Sequence, residues 1–90
     1  MLKNYEINKL VESVNDVNKD MLVRLADLKK IIDDGVKRAK DGQTGTKNYA
    51  KVVLKSSRFE GKLNAERLKG IEQIKKAEEK YAKDQQPPTP

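Results

Sequence analysis

The stretch Asn15-Asp16-Val17-Asn18-Lys19-Asp20 decides how many helices this chain has. Asn and Asp side chains bond to nearby backbone groups, so such a run favours caps and turns over a helix interior. Read as a break, it separates two helices. Read through, it joins residues 5–40 into one. The apolar residues on either side keep a common heptad phase: Ile7, Leu10, Val14, Val17, Met21, Leu28 and Ile31 fall at a and d positions, with Arg24 as an intrusion. That unbroken phase favours one long helix. Asn4 is its expected N-cap. Lys37, Arg38 and Lys40 complement the dipole in its last turn, and Gly42 suits the position just past its end.

Beyond it, Asp41-Gly42-Gln43-Thr44-Gly45-Thr46 reads as a loop over 41–46, and a second helix is expected over 47–83. Its inward face would carry Tyr49, Val52, Phe59, Leu63, Ile74, Ala77 and Tyr81, interrupted by Ser56, Glu66, Gly70 and Gln73. A charge pattern suggests how the two segments meet. Glu6, Ser13, Asp20, Asp27, Asp34 and Asp41 recur every seventh residue, as do Lys55, Lys62, Lys69, Lys76 and Lys83. Folded back antiparallel, the chain would pair Asp41 with Lys55, Asp34 with Lys62, Asp27 with Lys69 and Asp20 with Lys76. One register serves all four, and it also sets Arg24 opposite Gly70 and Ile31 opposite Leu63. The expectation is therefore all-α: a long antiparallel, coiled-coil-like helical hairpin over residues 1–84. Residues 85–90, Gln85-Gln86-Pro87-Pro88-Thr89-Pro90, form a Pro-rich extended tail.

Composition narrows the function classes. Charged residues make up 38% of the chain and apolar ones 36%, which suits an extended helical shape better than a compact barrel. Ninety residues leave room for one small domain. With no Cys there is no disulfide framework or thiolate metal site, and with no His the commonest general base and metal ligand are missing. The carboxylate pairs Asp33-Asp34 and Glu78-Glu79 diverge by about 100° on a helix. Ser56-Ser57 lacks an activating base. The Gly-Gln-Thr-Gly-Thr-Lys run at 42–47 lacks the spacing and preceding strand of a phosphate-binding loop. No enzymatic activity, cofactor or small-molecule substrate is expected. No apolar run reaches the length of a membrane span, and the N-terminus lacks the apolar core of a secretory signal, so cytoplasmic synthesis is the expectation.

Two readings of function remain. Leu22, Val23, Leu25, Ile32, Val36, Leu54, Leu68 and Ile71 lie beside or outside the seam of a two-helix rod. Each is worth roughly 1.5–3 kcal/mol only if buried. They call for oligomerisation or docking on a protein partner, as in a structural or accessory component of a virus or mobile genetic element. The alternative starts from the charge of +6, concentrated after residue 41, where eleven basic side chains face six acidic ones. Lys37, Arg38, Lys40, Lys47, Lys51 and Arg58 would gather at the loop end without acidic mates. Lys47 and Lys51 would oppose the dipole of the second helix there. Such a tip would bind an anion, and nucleic acid without sequence preference.

Overall fold

The computed structural model describes residues 1–47, 49–52, 54 and 60–85. All regular structure among them is helical: α1 (Asn4–Asn15), α2 (Met21–Lys40), a short 3-10 turn (Tyr49–Lys51) and α3 (Glu60–Gln85). The single helix expected over 5–40 is two helices. Asp16 leaves the helical region with ψ 106, and its carboxylate accepts the Asn18 N–H at 2.9 Å, closing an Asx turn. The Lys19 N–H then bonds to the Asp16 carbonyl at 3.2 Å. Here the cap-forming residues outweigh the heptad phase. The expected N-cap is also displaced by one: Lys3 caps α1 and Asn4 is its first helical residue.

α1 packs antiparallel on α2, since Leu2 meets Asp34 and Arg38 at one end while Val14 meets Arg24 at the other. α2 ends as expected. Gly42 has φ 84, its N–H bonds to the Ala39 carbonyl and that of Gln43 to the Arg38 carbonyl. These two bonds make a Schellman cap, which needs a residue without a Cβ at Gly42.

The chain does not then turn straight into a second helix. Gly45 is buried against the Gly35 backbone and the Ile74 side chain, and its N–H donates to Glu78 Oε1 at 3.1 Å. From there the connection runs back along the bundle. The Asn15 side-chain amide donates to the Lys51 carbonyl at 3.2 Å, so Lys51 lies at the α1–α2 junction, and Val52 is buried. In place of the helix expected from residue 47, residues 49–51 make a 3-10 turn and α3 begins at Glu60.

This crossover reverses the direction of α3. Gly70 lies against Ile32, Ile74 against Gly35 and Tyr81 against Gly42. The partners climb both helices together, so α3 runs parallel to α2, not antiparallel. Gly70 faces Ile32 rather than Arg24, because only a residue without a side chain lets that isoleucine approach so closely.

α2 is the central helix, with α1 on one side and α3 on the other. The core comprises Ile7, Val11 and Val14 of α1, Leu28, Ile31, Ile32 and Ala39 of α2, Val52 of the crossover, and Leu63 and Ile74 of α3. Phe59 and the Tyr49 side chain lie outside the described residues. Of the eight apolar residues left over by a two-helix rod, Ile32 is now buried, and Leu25, Val36, Leu54 and Ile71 pack against the core. Leu22, Val23 and Leu68 remain exposed.

Candidate functional site

Among the described residues the antiparallel charge ladder does not form, because α3 runs the other way. Asp34 is buried, and it accepts the Leu2 N–H at 2.7 Å and Arg38 Nε at 2.6 Å. Asp27 lies 3.9 Å from Lys30, and Lys69 lies 3.7 Å from Glu66. Asp20, Asp41, Lys62 and Lys76 are exposed. Lys55 lies outside the described residues. These three ion pairs, Lys30–Asp27, Arg38–Asp34 and Lys69–Glu66, are local ones, three or four residues apart on a helix.

The expected basic tip is divided between the two ends of the bundle. Lys37, Lys40 and Lys47 are exposed near the end of α2. Lys51 is at the opposite end, beside Asn15, and Arg58 lies outside the described residues. Arg38 has an acidic mate after all. Besides Asp34, its Nη2 donates to the Leu2 carbonyl at 2.7 Å and its Nη1 to Gln43 Oε1 at 3.4 Å. Asp34 and Arg38 thus engage both backbone groups of Leu2 and clasp the start of α1 onto the end of α2.

Polarity changes the meaning of the remaining cations. Parallel packing brings the C-termini of α2 and α3 to one end, where positive charge is favourable to the helix dipoles. Lys37 and Lys40 sit in the last turn of α2 and Lys83 in that of α3. Lys40 and Lys80 share a shallow cleft with Ala77, Tyr81 and Asp84. Lys47 lines another with Asn4, Arg38, Gln43 and Thr44. Lys47 belongs to the crossover, so it opposes no helix dipole. The glycine loop likewise commits its Gly45 amide to Glu78 rather than leaving it open to an anion.

At the other end, where α1 stops and α2 starts, stands the charged intrusion in the apolar heptad. Arg24 is fully buried. Its Nε donates to the Val14 carbonyl at 2.8 Å, one of the last four carbonyls of α1, which have no intrahelical donor. Both Nη atoms are buried without a hydrogen-bond partner. Burying a guanidinium on one hydrogen bond costs stability. The negative end of the α1 dipole offsets part of that cost. Around this junction Val17, Leu22 and Val23 are exposed at 49%, 65% and 47%. The signal in the sequence was a charge at a d position next to a turn.

Among the described residues no group of three His, Cys, Asp or Glu is placed to hold a metal ion, and no helix is long and apolar enough to cross a membrane. Comparison of the chain with protein-family models, with curated proteins and with solved structures finds no match.

Proposed function

We propose that this chain is a non-enzymatic helical interaction protein, which docks on a protein partner or on further copies of itself within a larger assembly. The observation that carries this reading is the exposure of Val17, Leu22 and Val23 around one end of the fold. They are close in sequence, two of them are adjacent in the first turn of α2, and the chain buries most of its other large aliphatic side chains. One carboxylate of each adjacent pair is engaged structurally, Asp34 by Leu2 and Arg38 and Glu78 by Gly45.

The nucleic-acid reading keeps its excess of positive charge but has less geometric support. Its described cations are divided between the two ends, and Lys37 and Lys40 sit with the α2 dipole rather than against it.

Light scattering and binding of the neutral dye Nile red test the docking reading. The wild-type chain is expected either to exceed its monomer mass of 10.2 kDa or to bind dye while melting cooperatively. Leu22→Ser with Val23→Ser should reduce whichever is seen at unchanged helix content, because both side chains are exposed. A cooperatively folded monomer that binds no dye would contradict the reading.

A further inference from the structure

We propose that the α1–α2 junction is a docking site for an acidic side chain flanked by apolar residues in a partner protein. The carboxylate would dock on the opening turn of α2 beside Arg24, and the apolar neighbours on Val17, Leu22 and Val23. The inference rests on the interaction-protein reading and names the chemistry of its partner.

The α2 N-terminus is open. The amides of Met21, Leu22 and Val23 precede the first bond within the helix, which the Arg24 N–H makes to the Asp20 carbonyl at 3.1 Å. The N-cap residue Asp20 makes no side-chain capping bond, and the first turn holds no acidic residue. Helix N-termini attract carboxylates through these unsatisfied N–H groups and the positive end of the dipole.

A second observation, independent of the helix end, points to the same ligand. The guanidinium of Arg24 is fully buried with both Nη atoms unpartnered, and no ion pair among the described residues includes it. Side chains on a helix tilt toward its N-terminus, and the Arg24 bond to Val14 holds the group at the α1–α2 junction. Its charge therefore lies between the positive end of the α2 dipole, to which it adds, and the negative end of the α1 dipole, which offsets it in part.

Neither carboxylate of this junction forms an ion pair with Arg24. Asp16 is occupied by the Asn18 amide. Asp20 is exposed and makes no side-chain capping bond. Lys19 Nζ, 3.2 Å from Ser13 Oγ, adds a further positive charge. The apolar rim disfavours a bare, strongly hydrated anion and suits a carboxylate carried between apolar side chains.

The test is an NMR titration of the isotope-labelled full chain with the capped peptide acetyl-Leu-Asp-Leu-amide and its neutral isostere acetyl-Leu-Asn-Leu-amide. The Asp peptide should shift the amides of Met21, Leu22 and Val23 and the Nε–H of Arg24 saturably. The Asn peptide should bind at least about tenfold more weakly, the factor that corresponds to 1.4 kcal/mol. Arg24→Met should melt at a higher temperature than the wild type and bind the Asp peptide about tenfold more weakly. Leu22→Ser, at an exposed position, should weaken binding without altering the melt.

Equal affinity for the two peptides, shifts confined to other regions, or binding unchanged in both variants would overturn the proposal. So would concentration-dependent broadening at Val17, Leu22 and Val23, which would assign this face to a second copy of the chain. That last result would leave the interaction-protein reading standing. A dye-free monomer would remove the reading itself.

Discussion

Gly35→Val is expected to lower the melting temperature by roughly 12–24 °C, from a loss of about 3 kcal/mol or more in a domain of this size. A Cβ at position 35 would stand 2.6 Å from Ile74 Cδ1 and 2.7 Å from the Gly45 carbonyl oxygen. The first neighbour can rotate, but the second is backbone and holds the turn that starts the crossover. Gly35→Ala places the same atom there with less bulk, and should cost about 1–3 kcal/mol even though alanine is worth up to about 1 kcal/mol more than glycine in a helix. Gly61 is the internal control. Nothing lies within 4 Å of a Cβ at that position, so Gly61→Ala should raise stability by up to about 1 kcal/mol. Opposite signs for the two alanine variants in a thermal melt would be the expected outcome. Equal gains would mean that the Gly35–Gly45–Ile74 contact does not form.

Asp34→Ala should be the second large loss. It removes the only carboxylate that Arg38 pairs with among the described residues, and the acceptor of the Leu2 N–H. Breaking a buried ion pair from one side costs about 3–5 kcal/mol. Here the Arg38 side chain keeps 18% of its surface in water, so about 2–4 kcal/mol is expected. The damage should be local first. Hydrogen exchange should accelerate along α1, whose opening residues lose their anchor, more than along the α2–α3 interface. Asp34→Asn keeps the shape and one acceptor and should cost about half as much. Uniform protection in Asp34→Ala would show that Leu2 is held by something else.

The elements that were legible in the sequence are those governed by local chemistry. Gly42 after Lys37, Arg38 and Lys40 marked the end of α2 through its cap and its dipole. The three-and-four spacing of Ile7, Val14, Leu28 and Ile31 placed all four in the core, as the helical face did for Leu63 and Ile74. The turn at residues 16–20 was legible as a cluster of cap-forming residues but was overruled by the heptad. That phase continues across the turn because α1 and α2 each present apolar residues to the other at the same spacing.

The direction of α3 was not legible from charge. Any two series with a step of seven share a constant sum when read in opposite directions and a constant difference when read in the same direction. Asp20, Asp27, Asp34 and Asp41 therefore also stand a fixed 35 residues before Lys55, Lys62, Lys69 and Lys76, and the ladder could not choose between the two. The information lay instead in Gly35, Gly45 and Gly70, which allow close approaches that a helix in isolation would not need. Likewise, Arg24 was visible as a charge on an apolar stripe, but which carbonyl it would meet depended on the turn ahead of it.

Disulfide trapping tests the parallel packing of α2 and α3 most directly, because the chain has no cysteine of its own. A Cβ at position 70 would lie against the Ile32 side chain, so Ile32→Cys with Gly70→Cys falls within the roughly 4 Å between Cβ atoms that a disulfide spans. That pair should oxidise readily to an intramolecular crosslink in the folded chain. Asp20→Cys with Lys76→Cys would be neighbours in an antiparallel hairpin. Here they are separated by about 25 Å along the helix axes, and should not crosslink. Ready closure of the 20–76 pair with failure of the 32–70 pair would contradict the parallel arrangement, and with it the gathering of the α2 N-terminus, Arg24 and the start of α3 at one end.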